Sequence, residues 1–425
     1  MTSTPMVPLA ACIGLDWASP HHDIALLVAG TTTVESARIA HEPAALVAWL
    51  ASLAERFAGA PVGIALETSR GPIVHALLDA PFVVLYPVNP RSLARFREAF
   101  VPSGAKDDAP DARLLLALLT QHRERLTPWQ PEDAATRTLG RLVQHRRALV
   151  ELRTQVALQL QAALKESFPQ ALRWAGEDLA TPLAGAFLCR WPTLAAVQHA
   201  RPATLRQFYT AHHCRHVALI ATRLTEIATA TPLTRDPAII ESSALYVQGL
   251  ARQLVTLAPS LAALDAAIAQ RFAAHPDAVL FTAVPGAGAV LAPRLLVAFG
   301  TDRTRFPTAT ELQARAGIAP ITVCSGKQSH VRWRWAASTF LRPTFQEFAH
   351  HSVRTCHWAR VFYHQQRQRG KSHHAAVRSL AFKWIRILWR CWQDRVPYDD
   401  ARYERALATR GSPLAIHRPL ALAPA

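Results

Sequence analysis

The first hundred residues alternate between two periodicities. "ACIGLDWASPHHDIALLVAG" places apolar and polar residues in turn, which predicts a strand ending at Asp16, a turn around Ser19-Pro20 and a second strand. "TTTVESARIAH" suits a third strand. "EPAALVAWLASLAERFAG" switches to helical spacing and stops on Gly59. "PVGIALETS" is a short strand of the buried type ending at Glu67, and "GPIVHALLDA" is a helix opened by Gly71-Pro72. "PFVVLYPV" predicts another strand and "NPRSLARFREAF" another helix. A further helix begins in "AKDDAPDARLLLALL", with Asp108 as cap, Pro110 in the first turn and Asp111 favoured by the helix dipole.

Three strands, helix, strand, helix, strand and helices is the order of a ribonuclease-H-like (RuvC-like) α/β domain. In that fold the first and fourth strands are neighbours, so Asp16 and Glu67 are expected near adjacent strand ends. The helix start adds Asp108 and Asp111, three positions apart on one face. Four crowded carboxylates repel and raise one another's pKa unless a cation neutralises them. Hard divalent ions, Mg²⁺ or Mn²⁺, take such oxygen ligands and can assist both oxygens of a phosphoryl displacement. Taken singly, each acid has a plain reading as a cap, a strand-end turn or a surface residue; the set in fold order is harder to explain that way.

Residues 131–169 repeat apolar positions at three and four, predicting a helix of about 50 Å at 1.5 Å per residue. A second long helix is predicted across 236–276, with Pro259 as the point where it can break. Such a pair suits a coiled-coil spacer or an oligomer contact. Short helices and loops fill 170–235; "HHCRH" there (His212, His213, Cys214, His216) matches no ordinary zinc spacing. Beyond, Pro285-Gly286-Ala287-Gly288 precedes a helix as an interhelical turn or a phosphate-holding one. "ITVCSGKQSHVRWRWAAST" puts Ser325-Gly326-Lys327 in a polar loop before Arg332 and Arg334, which alternate with tryptophan. It reads either as a tight turn leading to an amphipathic element or as phosphate binding with base stacking. Basic helices then flank a turn at Gly370-Lys371, with Arg367 and Arg369 before it.

Charge sharpens the picture. The chain of 425 residues carries a net +17 and a pI near 10.6, which points to a polyanionic partner. Residues 1–115 hold eleven acids against eight Lys/Arg, whereas 321–395 hold fourteen Lys/Arg against two acids. One part is suited to holding cations and the other polyanions. Six cysteines without a CxxC pair imply reduced thiols in a cytoplasm. No leader pattern and no uninterrupted apolar run of about 18 residues appears, so neither secretion nor a membrane span is expected.

The pieces "GLDWA", "ALETS", "KDDAPDARLL", "VPGAG", "AGIAP…SGK" and "YHQQRQRGKSHHAAVRSLAFKWIRI" together resemble, in order, the DEDD transposases of bacterial insertion sequences, a family of bridge-RNA-guided serine recombinases. Asp107 stands where that family usually has an uncharged residue, and "RWRWAAS" replaces a glycine-bearing stretch.

The resemblance implies a metal-binding domain over 1–128, a helical coiled-coil or oligomerisation region over 129–276, a basic helical transposase domain over 277–398, and a tail over 399–425. It implies Mg²⁺ or Mn²⁺ on Asp16, Glu67, Asp108 and Asp111, and Ser325 as nucleophile. Lys327, Arg332, Arg334, Arg367, Arg369 and Lys371 are the expected nucleic-acid contacts. The implied partners are donor and target DNA, a structured guide (bridge) RNA and further copies of the chain in a homodimer or homotetramer, without a membrane, in a bacterial cytoplasm and at its nucleoid. Two alternatives stand beside it: a RuvC-like junction nuclease that keeps the metal but uses water, and a non-catalytic nucleic-acid-binding protein.

Overall fold

The structure, a computed structural model, describes residues 7–18, 20–68, 71–100, 108–325, 328–334 and 337–415. The chain divides into two compact units, Met1–Pro131 and Glu132–Ala425.

The first unit is a five-stranded mixed sheet between helices. Its strands are β1 (Ala11–Trp17), β2 (His21–Val28), β3 (Val34–Ala40), β4 (Val62–Leu66) and β5 (Val83–Pro87), in the order β3-β2-β1-β4-β5. The first three run antiparallel as a meander, while β4 and β5 run parallel to β1. That order is consistent with a RuvC-like start. Every residue of β4 is buried because both faces of the sheet are covered. On one face Ile13, Leu15, Ile64 and Leu66 pack with α1 (Pro43–Arg56) and α2 (Pro72–Leu77). The other face receives α4 (Asp108–Gln121), which follows α3 (Pro90–Phe100). Close seating of α4 is permitted by Gly14, where an added Cβ would overlap the Ala112 carbonyl and lie 2.5 Å from the Leu116 amide nitrogen. Trp129 donates its backbone N–H to Leu85, closing the unit beyond β5.

The second unit holds two cores threaded by one antiparallel helix pair, α5 (Ala134–Ser167) and α11 (Pro237–Ala273). Between them in sequence come α6 (Ala171–Trp174), α7 (Pro182–Arg190), α8 (Leu194–Gln198), α9 (Pro202–Ala211) and α10 (Val217–Thr229). These five pack on Leu160 and Leu164 of α5 and on Leu250 and Leu254 of α11 around the buried Trp174, Phe187 and Tyr209. The HHCRH segment serves this packing: His216 Nδ1 accepts from the Leu219 amide at 3.0 Å as the cap of α10, and His212 lies against Phe208. α11 passes through Pro259 without a break, since buried Leu254 and Leu261 on either side fasten it. The break that Pro259 made possible does not occur: tertiary packing outweighs the hydrogen bond that proline forfeits.

The other core joins Leu139 and Val143 of α5 and Ile268 of α11 to the C-terminal elements. These are α12 (Ala278–Thr282), α13 (Gly288–Phe299), α14 (Ala309–Arg315), the hairpin β6 (Ile321–Ser325) and β7 (Gln328–Arg332), α15 (Leu341–Thr355), α16 (His357–Gln368), α17 (His373–Asp394) and α18 (Asp400–Thr409). Trp358, Trp384 and Trp392 are completely buried in it, so half of the tryptophans in the basic stretch are core. Leu407 and Leu414 join the same core, which extends it past residue 398. Among the described residues no helix is long and apolar enough to cross a membrane.

Candidate active site

Strand register decides where the acids stand. β1 and β4 pair in parallel with Gly14 opposite Ala65, and two residues further along each chain come Asp16 and Glu67. Side chains alternate across a sheet, so Asp16 shares the face of Cys12 and Gly14, while Glu67 follows the last residue of β4 in a bend at the same level. This is the face α4 covers, for Gly14 meets Ala112 and Leu116 while Gly63 looks to Leu119. Moving along β1 toward Asp16 therefore means moving along α4 toward its start, where Asp108 and Asp111 are. The α4 backbone begins at Asp108, whose side chain is outside the described part, and Asp107 lies outside the described residues.

Asp111 is 4% exposed, and its carboxylate is gripped through both oxygens by Arg97 of α3, with Nε to Oδ1 at 2.8 Å. A fifth acid shares the face. Asp23 of β2 is the cross-strand partner of Asp16 and is neutralised by Arg38, with Nε to Oδ1 at 2.9 Å. Sequence reading missed both Asp23 and Arg97. The alternation in β2 carried the signal for Asp23, since it falls in phase with Ala25 and Leu27. Nothing in the spacing pointed to Arg97.

In donor chemistry and placement these residues fit a hard divalent ion: oxygen ligands only, at one end of one sheet face. A carboxylate as buried as Asp111 requires a positive partner, which Arg97 supplies here and a divalent ion could equally supply. No group of three or more His, Cys, Asp or Glu among the described residues, which leave out the side chains of Asp107 and Asp108, is arranged to hold a metal.

Ser325 ends β6, opposite Gln328, so Gly326 and Lys327, outside the described residues, connect the strands. The serine's own side chain is also outside the described part; of the two readings offered for this segment, the tight turn leading to a further element agrees with the hairpin arm that β6 and β7 form. All of β7 is exposed, with Val331 at 70%, so the arm has almost no core of its own. An isolated two-stranded ribbon is marginal in water, and its foothold matters. That foothold is Trp333, stacked between two guanidinium groups, Arg342 at 4.5 Å and Arg378 at 4.3 Å from the ring centroid. Arg342 also donates to the Arg334 carbonyl. Burial lowers the pKa of both arginines, and Arg378 is lowered further by Arg342. Gly317 of the AGIAP motif, at φ +66°, leaves the space that the Arg342 guanidinium fills. Gly286 of VPGAG, at φ +81°, does the same for Thr355 at the end of α15.

Arg332 is exposed on the arm and Arg334 half-buried at its foot. Arg367, Arg369 and Lys371 are exposed around the α16–α17 turn, where Lys371 Nζ donates to Ser379 at 3.0 Å.

Residues 13–169 match the model of a DEDD transposase family of the IS110 type, described as transposase, and residues 278–364 match the transposase IS116/IS110/IS902 family. The chain is 30% identical over 400 residues to the mini-circle putative transposase for IS117 of Streptomyces coelicolor, covering 93% of this chain and 96% of that protein. This chain belongs to the IS110/IS116 transposase family. Two further relatives of this transposase span nearly the whole length. The insertion element IS900 uncharacterized 42 kDa protein of Mycobacterium paratuberculosis is 27% identical, over 91% of this chain and 97% of that one. The insertion element IS110 uncharacterized 43.6 kDa protein of Streptomyces coelicolor is 28% identical, over 91% and 95%. The two family matches fall on the two segments where the acids and the serine arm were found.

Proposed function

We propose that this transposase cuts and rejoins DNA through a phosphoserine intermediate on Ser325, assisted by a divalent ion held on Asp16, Glu67, Asp108 and Asp111. The observation that carries the reading is the common level of Asp16 and Glu67 at the end of the sheet toward which α4 runs back to Asp111. A bound Mg²⁺ or Mn²⁺ would neutralise charge at the scissile phosphate and its leaving oxygen. Ser325 Oγ forms the new bond to phosphorus while the bond to one deoxyribose oxygen breaks. The sugar hydroxyl so released, or one from a second duplex, later attacks the phosphoserine and frees the serine. Each step exchanges one phosphodiester for another, so strands are exchanged without loss of bond energy.

A serine hydroxyl is a weak nucleophile at neutral pH and needs activation. The glycine next to it in sequence has no side chain to hinder a phosphate, and Lys327, Arg332 and Arg334 bring positive charge. The acids and the serine belong to different units of the chain, and the reading assigns the serine of one copy to the acids of another in a dimer or tetramer. Target choice would rest on a structured RNA that pairs with donor and target DNA, the protein gripping backbone and shape. Action on DNA in the cytoplasm, at the nucleoid, follows from the same reading.

The deciding experiment is a suicide DNA substrate with Mg²⁺ and guide RNA. Wild type and Ser329→Ala are expected to become covalently attached to DNA, and Ser325→Ala to bind DNA without forming an adduct. Cleavage by Ser325→Ala at the wild-type rate would make water the nucleophile and this protein a junction nuclease.

A further inference from the structure

Between α17, α18 and the start of α14 the second unit bears a groove of about 1130 Å³. Its walls are fixed. Tyr398 accepts from Trp358 Nε1 at 2.8 Å and donates to Asp400 at 2.7 Å, tying the start of α18 to the core, and Leu407 packs its far side. Lys383, Arg386 and Arg390 line it from α17 at positions i, i+3 and i+7, which places them on one helical face. Arg402 and Arg410 line it from the opposite wall.

The groove has two acids, and both are engaged. Asp394 pairs with Arg390 at 2.6 Å, and Asp399 caps α18 by accepting from the Arg402 amide at 3.0 Å. That leaves Lys383, Arg386, Arg402 and Arg410 with no carboxylate within 4 Å among the described residues. Burial, and then the neighbouring Arg386, push the Lys383 pKa down. Cations crowded in this way repel unless an anion joins them. The surface between them is aromatic: Phe362, Phe382, Trp389 and Tyr403 all line the groove half-buried, and Lys383 Nζ stands 5.6 Å from the Phe362 ring.

We propose that this groove seats an unpaired DNA strand, with its phosphates on these three arginines and the lysine and its bases against the rings. Cations alone would suit any duplex, whereas the half-buried rings between them offer stacking only to bases whose faces are free. No residue of the arm lines the groove, and Ser379 on its rim takes the hydrogen bond from Lys371 of the α16–α17 turn. The proposal rests on the transposase family and not on the chemistry of Ser325.

The test uses the full chain in EDTA and measures anisotropy of a fluorescein-labelled oligothymidylate, its duplex and the matching oligouridylate. No strand is cut without a divalent ion, so failure of the serine chemistry would not alter the reading. Arg386→Gln combined with Arg402→Gln is expected to bind the single strand about tenfold more weakly, with a log–log salt slope about 1.4 shallower, while duplex binding changes little. Arg386→Lys with Arg402→Lys should keep most of the affinity, which separates lost charge from lost fold. The proposal is overturned if the glutamine variant binds the strand as wild type does, if strand and duplex weaken together, or if only the oligouridylate binds.

Discussion

Asp111 has 6% of its side chain in contact with solvent, and Arg97 answers it with 19% of its own exposed. Removing one partner of so buried a pair leaves an uncompensated charge, at a cost of about 3–5 kcal/mol. Arg97→Gln is therefore expected to lower the melting temperature in EDTA. If a divalent ion can take the arginine's place, Mn²⁺ should restore part of that loss in Arg97→Gln and raise wild type less. An Arg97→Gln chain as stable as wild type in EDTA, or one that Mn²⁺ leaves unchanged, would remove Asp111 from the metal set. The acids themselves could be picked out from the sequence because each ends a strand or starts a helix. What answers their charge could not: Arg97 precedes Asp111 by 14 residues across a helix junction, and no periodicity links them.

At the scale of elements, the strands and helices of the first unit follow the alternation of apolar residues because the sheet is covered on both faces and burial enforces the pattern. The arm at 321–332 was legible only as a turn leading to an element left open between strand and helix, for the opposite reason. It buries almost nothing, so burial does not enforce a pattern over its length, and its anchor lies in tertiary stacking on Trp333. Trp333→Ala should free the arm, seen as faster hydrogen exchange over 321–332, and slow adduct formation about ten- to a hundredfold while DNA affinity holds. Trp333→Phe keeps a ring between the arginines and should recover most of the rate; equal loss in both variants would point to a contact other than stacking. α5 offers a pH test. Burial acts to raise the pKa of its cap Asp133, but hydrogen bonds from Thr136, Thr301 and Ala135 prevail and hold it down at about 2, against 3.8 for a free aspartate. The folded pKa is the lower one, so the cap's contribution is complete above pH 3.8 and is lost as pH falls toward 2. Asp133→Ala should cost about 1 kcal/mol at neutral pH, and its melting temperature should converge on wild type across that window.

For the whole molecule the separation of charge is the governing fact. Residues 321–395 concentrate twelve net positive charges, while 1–115 are net negative by three. The basic stretch is not simply a surface coat: its tryptophans at 358, 384 and 392 make the core, and its arginines and lysines are left outward on the helices that core fixes. Such a surface binds any polyanion, releasing counterions, so affinity for RNA and DNA alike should fall steeply and linearly on a log–log plot as salt rises. That fall cannot identify a guide, because it does not depend on sequence. The informative quantity is a difference between two RNAs of equal length and charge. Transcripts from the DNA flanking the gene should be retained through purification and should outcompete a scrambled RNA at physiological salt. The advantage should persist as salt rises, because the counterion contribution cancels between the two. Equal competition by both would reduce the interaction to electrostatics and dismiss RNA guidance, while leaving the carboxylate set and Ser325 to be judged on their own experiment.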